Sequence, residues 1–412
     1  MPGAAYFQNV MTLADARFEG KHVFVRVDFN VPIDKSGQVA DDFRIKSSLP
    51  TINHILSHGG IPVLASHLGR PKGKPSAEFS LKPVADVLER LLGKKVSFAA
   101  DCVGEDASRA ARSLAPGEVL LLENLRFHAE EEANDPAFSR ALASLGDLYV
   151  NDAFGTAHRA HASTVGVPRI LKPALAGLLM EKEIKFLGRL LSGPDRPFIA
   201  ILGGAKVSDK IEVIENLLRL VDGLLVGGGM ANTFLKARGF DIGGSLFEEK
   251  SVCVAGQVMD TASSKGIPFV LPLDYVAASK IEAGAATVLL DRGTKVPKGF
   301  SIVDIGGKTI SDFCGRISSA KTIFWNGPVG VFEIDDFSRG TAEVASAVAA
   351  ASRQGAVSVI GGGDTASAVA KAGVASRITH ISTGGGASLE FVGGIELPGI
   401  AALSRKSEIR KE

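Results

Sequence analysis

The sequence predicts an α/β protein of two doubly wound, parallel-sheet (Rossmann-like) domains joined by a helix. Three observations carry this expectation. Short aliphatic and β-branched runs alternate with segments of helical period, the pattern of parallel strands covered by helices on both faces. Polar or glycine-containing loops follow these runs, and right-handed crossovers bring such loops to one edge of each sheet. At 412 residues, 45% of them apolar, the chain accommodates two domains of ordinary size, each with its own core.

In the first half the strand candidates are residues 21–27, 61–66, 119–122 and 148–150, with helices over 45–57 and 81–92 between them. In the second half they are 198–202, 223–226, 268–271, 322–325, 357–360 and 378–381. MEKEIKFLGRLL, residues 180–191, reads as a helix because Ile184, Leu187 and Leu191 recur at three- and four-residue spacing. SGPDRP follows it as a turn-rich stop. The domain join therefore falls here, with a first domain over 1–180 and a second over 181–395, the joining helix occupying about 180–192. An ordinary crossover helix within one large domain is the alternative.

Composition excludes several classes. The net charge is +1, and residues 1–180 carry 20 basic and 20 acidic side chains, so neither half is a basic body suited to nucleic acid or a charged membrane. Cys102, Cys253 and Cys314 are odd in number and widely spaced, which argues for reduced thiols in a cytosolic setting. The N-terminus lacks a signal-peptide core and no stretch reaches the roughly 18 unbroken apolar residues of a membrane span. The expectation is a soluble, cytoplasmic protein whose chain closes with the charged tail SRKSEIRKE.

The halves differ in chemistry. Seven of the eight histidines precede Met180, whereas 33 of the 47 glycines follow it. The first half sets cationic and hydrogen-bonding side chains into the loops SHLGRP, LRFH and GTAHRAHAS, which suit a fixed anion. VRVDFNVP delivers Asp28 and Asn30 to a strand end, either to hold substrate oxygens or to bond a turn locally. Arg44, Arg70, Arg126 and Arg159 each stand in a loop or at a helix edge; any one alone reads as solvated, but their recurrence after strands points to carboxylate or phosphate. His67, His158 and His161 have no carboxylate or cysteine at structural-zinc spacing, so hydrogen bonding is preferred to metal ligation.

The second half offers main-chain amides. GGAKVSDK follows an apolar run and places Lys206 and Lys210 near a helix start, where cations are unfavourable unless an anion joins them. It lacks the GKS or GKT of a Walker A loop, and two lysines on a solvated helix face is the alternative. GGGDT, from Gly361, can present amides to phosphate and Asp364 to a phosphate-bound Mg²⁺, or Asp364 can act as a helix cap. A dinucleotide fingerprint expects an acidic residue about 20 positions on, and ITHIST has none.

Together these motifs resemble the phosphoglycerate kinase family from about Val25 to Leu403. VRVDFNVP, SHLGRP, LRFH, GTAHRAHAS, LMEKEI, GGAKVSDK, NGPVGVFE, GGGDT and STGGGASLE occur in the family's order. The resemblance implies reversible phosphoryl transfer between 1,3-bisphosphoglycerate and MgADP, giving 3-phosphoglycerate and MgATP, by a monomer whose two domains hinge about the joining helix. It implies a first domain that binds the glycerate, a second that binds the nucleotide, and a segment over 396–412 that returns toward the first. Carried over by position, Asp28, Asn30, His67, Arg70, Arg126 and Arg159 would hold the glycerate, with Phe29, Leu68 and Gly69 beside them, and Arg44 would reach the transferred group. Lys206, Lys210, Asn326, Gly362, Gly363 and Thr365 would contact the nucleotide's phosphate end, Glu333 its ribose, and Asp364 the magnesium; Gly363 and Gly386 amides would neutralise the equatorial oxygens. Phe43, Ile302 and the stretch FVGG from Phe391 depart from the family pattern. A nicotinamide-dependent oxidoreductase and a non-catalytic protein that closes on a phosphorylated ligand are the competing classes.

Overall fold

The computed structural model describes residues 6–407, so the last five residues of the charged tail lie outside the described residues. The chain divides into two compact units, one formed by residues up to Lys185 together with those from Glu396 onward, the other by Phe186–Ile395. The division falls inside the helix Leu178–Ser192.

The first unit contains β1 (His22–Arg26), β2 (Ile61–Ala65), β3 (Val96–Ala99), β4 (Val119–Leu122), β5 (Leu148–Asn151) and β6 (Ala174–Ala176). They form one parallel sheet in the order β3-β4-β2-β1-β5-β6. Alternation along β1 sends Val23, Val25 and the following Val27 into a core with Ile45, Ile52, Ile55 and Leu64. Phe24 and Arg26 take the opposite face, where Phe24 stacks on Tyr149. The direction of winding reverses between β1 and β5, so the loops after these two strands flank the crevice at the sheet's carboxyl edge. The C-terminal segment is part of this unit: Ser404 N–H donates to Ala174 O at 2.8 Å, Met11 N–H to Ser404 O at 2.9 Å and Gly399 N–H to Ala157 O at 2.8 Å.

In the second unit the strands are β7 (Phe198–Leu202), β8 (Gly223–Val226), β9 (Phe269–Val270), β10 (Asp274–Ala278), β11 (Thr287–Asp291), β12 (Ser301–Ile305), β13 (Thr322–Asn326), β14 (Val357–Gly361) and β15 (His380–Ile381). Six of them make a parallel sheet, β15-β14-β13-β7-β8-β9, in which winding reverses between β7 and β13. Its core gathers Ile201, Ile323, Trp325, Val344, Val348 and Ile360.

Two features were not foreseen from sequence. A separate antiparallel sheet, β11-β10-β12, interrupts the expected run of parallel strands, and β11 escaped notice because it alternates with most side chains outward, Leu289 being 63% exposed. β3 (VSFA) lacks the unbroken aliphatic run of β4 and is buried only at its ends, and β6 is three residues long.

Candidate active site

In the first unit, the loops after β1, β2, β4 and β5 lock one another together. Asp28 Oδ2 accepts from Arg44 Nη1 at 2.7 Å, which ties the loop after β1 to the start of the helix Phe43–Ser57. Asn30 Oδ1 accepts from Gly69 N–H at 2.9 Å, and Arg126 Nη1 donates to Gly69 O at 2.8 Å. Asn124 Oδ1 accepts from Arg126 N–H at 3.0 Å while its amide donates to Leu68 O at 2.7 Å. Gly69 is required: its φ is +60°, and a Cβ there would lie 2.4 Å from the Phe79 ring.

These loops hold an unusual density of charge. Arg126 keeps 5% and His67 4% of their surface. Burial first, then Arg26, Arg126 and Arg44, push the His67 imidazole well below its ordinary range, so it is neutral at physiological pH. Burial with Arg126 and Arg26 lowers His161 to about 3, and burial lowers even the Arg126 guanidinium to about 10. Arg126 Nε stands 3.1 Å from Glu132 Oε1 without the angle of a hydrogen bond, and it joins His161 Nδ1 among buried polar atoms that have no hydrogen-bond partner among the described residues. Cations and donors held out of water beside unfilled polar atoms are prepared for an anion.

The structure sorts the expected residues. Asp28, Asn30, Arg44, His67, Gly69, Arg126 and Arg159 lie in or beside this network, and Arg159 Nε donates to His158 Nε2 at 3.2 Å. Phe29 and Leu68 send their side chains into the core, leaving only backbone at the site. Arg70 is exposed with no hydrogen-bond or ion-pair partner among the described residues. Phe43 is half exposed at the helix start, where its N–H donates to Asp41 Oδ1 at 2.8 Å, so its ring does not displace Arg44 from Asp28.

Sequence reasoning passed over Arg26, Ser163 and Glu131, all fully buried beneath these loops. Arg26 Nε donates to Ser163 Oγ at 2.9 Å, Ser163 Oγ donates to Glu131 Oε1 at 2.5 Å and Ser163 N–H to Glu131 Oε2 at 2.9 Å. A signal was present: a charge in the central run HVFVR demands a buried partner.

The second unit builds its site from backbone. The loops after β7 and β13 press together at the switch point: a Cβ on Gly203 would lie 2.1 Å from Pro328 O, and one on Gly327 (φ +92°) 2.3 Å from the carbonyl carbon of Gly203. Thr365 Oγ1 accepts from Gly327 N–H at 2.6 Å, and Trp325 Nε1 donates to Gly327 O at 2.8 Å, fixing that turn. Beside it opens a cavity of about 400 Å³ lined by Lys206, Lys210, Asn326, Gly362, Gly363, Asp364, Thr365, Gly385 and Gly386. The helix Gly363–Lys371 starts here with Gly362 as its cap, so Asp364 is not the cap and its exposed carboxylate is free to face a ligand. Lys206 is exposed, whereas Lys210 Nζ donates to Gly203 O at 2.5 Å and burial lowers its pKa to about 8.

An adjoining cavity of about 500 Å³ shares Gly204, Ala205 and Asp364 with the first and is mostly apolar, lined by Leu246, Ile302, Pro328, Val329 and Val331, with Glu333 at its side. Ile302 thus sits in the wall of a cavity of ligand size, with its N–H bonded to Ser245 Oγ at 2.7 Å. One polar and one apolar chamber sharing a glycine rim match the two ends of a nucleotide.

The phosphoglycerate kinase family model matches residues 13–395. The chain belongs to the phosphoglycerate kinase family. It is 54% identical over 402 residues to the phosphoglycerate kinase of Koribacter versatilis, covering 96% of this chain and 99% of that one. With the phosphoglycerate kinase of Moorella thermoacetica the identity is 55% over 396 residues, 96% and 99% of the two chains. Among solved structures, the phosphoglycerate kinase of Coxiella burnetii superposes with a TM-score of 0.86 at 39% identity, covering 98% of this chain and 100% of that one. The Pyrococcus horikoshii enzyme gives 0.83 at 38%, covering 95% and 98%. Membership of the phosphoglycerate kinase family makes the chain an enzyme, a phosphotransferase of glycolysis, and sets aside the nicotinamide and non-catalytic alternatives.

Proposed function

We propose that the chain transfers a phosphoryl group reversibly between 1,3-bisphosphoglycerate and MgADP, giving 3-phosphoglycerate and MgATP, with the acid on the first unit and the nucleotide on the second. One contrast carries this division: buried arginine and histidine side chains at one sheet edge, and glycine turns around a two-chambered cavity at the other.

Phosphoryl transfer needs in-line positioning and charge stabilisation and no covalent nucleophile on the enzyme. In the direction of ATP synthesis, an ADP β-phosphate oxygen attacks the acyl phosphorus, the acyl oxygen–phosphorus bond breaks and the glycerate carboxylate leaves. Asp28, Asn30, His67, Arg126 and Arg159 hold the acid, Arg70 reaches it from its exposed position, and Arg44, held by Asp28, meets the group in transit. On the other side, Lys206 and Lys210 receive the nucleotide phosphates, Lys210 following the phosphoryl group, while Gly363 and Gly386 amides bind its equatorial oxygens. Asn326, Gly362 and Thr365 shape the phosphate chamber, and Glu333 binds the ribose beside the apolar one.

Asp364 suits magnesium, a hard oxygen ligand beside the phosphate chamber that would share the ion with nucleotide oxygens and water. When bound, the ion neutralises phosphate charge. Among the described residues, the one His/Cys/Asp/Glu cluster of metal-ligand spacing is Asp101, Cys102 and His128, in the first unit, so magnesium depends on Asp364 and the nucleotide itself.

Transfer requires the two bound substrates to meet and water to be excluded, so hinge closure about Leu178–Ser192 is part of this reading. Monomeric, cytoplasmic operation without nucleic-acid or membrane partners completes it; no described helix is long and apolar enough to cross a membrane. A coupled assay for ATP formation from 1,3-bisphosphoglycerate and ADP tests the proposal. Turnover that needs both substrates and falls with Lys210→Ala or Arg44→Ala supports it; near-normal turnover in both variants refutes the assigned roles.

A further inference from the structure

We infer that Arg26 acts as a positioning residue that holds His67 in its neutral Nε2–H tautomer, turning the free edge of that ring into a hydrogen-bond donor for the acid. The clause about the acid rests on the functional reading above; the tautomer itself does not.

Arg26 Nη2 lies 3.2 Å from His67 Nδ1. A guanidinium carries five N–H donors and no acceptor, so the hydrogen in this contact belongs to the arginine and Nδ1 must present its lone pair. An imidazolium, a donor at both nitrogens, cannot make the contact. The single ring hydrogen therefore sits on Nε2, for which no hydrogen-bond partner stands among the described residues.

Arg26 is itself held on every side. It donates to Ser163 Oγ at 2.9 Å and to Val27 O, while Ser163 Oγ passes its hydrogen to Glu131 at 2.5 Å. Tyr149 donates to Ser163 O at 2.8 Å and braces the turn. The donors run in one direction, from guanidinium to hydroxyl to carboxylate, so a buried countercharge is linked to Arg26 through one serine and its planar group cannot rotate away from His67. Its surroundings also favour the neutral ring: burial first, then Arg26, Arg126 and Arg44, oppose a proton on it.

The consequence is chemical. With the other tautomer, a bare Nε2 lone pair would meet the oxygens of an anionic acid and repel them. With this one, the ring donates to the anion without adding another charge to a crowded arginine cluster.

The test uses the full-length protein labelled with ¹⁵N-histidine, the His67 ring being assigned by its loss in His67→Gln. The expected spectrum of the ligand-free protein at neutral pH shows His67 with a protonated Nε2 and a bare Nδ1. Arg26→Lys, still a donor only, keeps that signature, whereas Arg26→Gln, whose amide can accept, admits Nδ1–H. In Arg26→Gln the KM for 3-phosphoglycerate rises roughly tenfold, as for one lost hydrogen bond to a charged group, while the KM for MgATP stays within about twofold. A wild-type ring protonated at Nδ1 overturns the inference, and so does a tautomer change in Arg26→Gln that leaves the KM for 3-phosphoglycerate unmoved. Should Arg26→Gln fail to fold, the wild-type and Arg26→Lys spectra decide alone. A His67 resonance indifferent to added 3-phosphoglycerate would remove the acid from this site and leave the tautomer standing.

Discussion

The two units build their candidate anion sites by opposite means. The first buries its charges and wires them into place before any ligand arrives: Arg126 retains 5% of its surface, Arg26 none, and Arg44 is paired with Asp28 at 2.7 Å. The second leaves Lys206 and Asp364 exposed, draws only Lys210 inward, and relies on turns whose shape only glycine permits. Rigidity comes from side-chain hydrogen bonds in one and from backbone packed on backbone in the other. A compact acid with carboxylate and phosphate suits the first solution, and a flexible polyphosphate whose end must move suits the second.

The largest effects should come from the groups assigned to the moving phosphoryl. Lys210→Ala and Arg44→Ala are each expected to lower kcat by about 10²–10³, as for loss of one transition-state stabilising donor, with the fold intact by circular dichroism. Losses confined to KM would break the comparison, because both residues would then be ordinary ground-state ligands.

Next in size is the backbone seam of the second unit. In Gly327→Ala the added Cβ meets Gly203 at 2.3 Å in a left-handed conformation, and a loss of about 2–5 kcal/mol in a denaturant titration is expected, with nucleotide binding weakened and 3-phosphoglycerate binding retained. An unperturbed titration would show that the seam yields easily.

A smaller effect separates the units by pH. Burial holds the ligand-free Lys210 near 8, below its value of 10.5 in water, and a bound phosphate must raise it. Nucleotide binding therefore takes up a proton above that point, so affinity is full below about pH 8 and weakens as pH rises through it. Acid binding should stay nearly flat between about pH 7 and 9, since arginines do not titrate there and His67 is already neutral. Calorimetric titrations of each ligand across this window measure both slopes; a flat nucleotide profile would place the Lys210 ammonium outside the phosphate site.

The smallest effect belongs to Arg70. Because Arg70 is exposed with no hydrogen-bond or ion-pair partner among the described residues, its replacement by alanine should change stability by no more than about 0.5 kcal/mol and raise the KM for 3-phosphoglycerate only a few-fold. A loss as large as that of Arg44→Ala would mean that this arginine is drawn fully into the site on binding.

Much of this arrangement was legible in the chain itself. Strands buried on both faces, such as Phe198–Leu202 and Thr322–Asn326, announce themselves as largely apolar runs, and the loops after them carry the candidate site residues. Less legible was whatever depends on distant partners. Lys206 and Lys210 are alike in GGAKVSDK, yet only Lys210 is drawn onto Gly203 O. Phe29 and Leu68 lie in site loops but pack into the core shared with the helices Phe43–Ser57 and Lys82–Leu92. Arg26 reads as one charge in an apolar strand until Ser163 and Glu131, more than a hundred residues on, are brought beneath it.

The division of labour between the units is tested most directly by amide chemical-shift mapping of the full-length protein titrated separately with 3-phosphoglycerate and with MgADP. The account predicts that the acid shifts the loops around residues 28–30, 66–70, 124–128 and 155–161, and that the nucleotide shifts those around 203–210, 326–333, 361–365 and 384–386. Both ligands perturbing one and the same set of loops would contradict it.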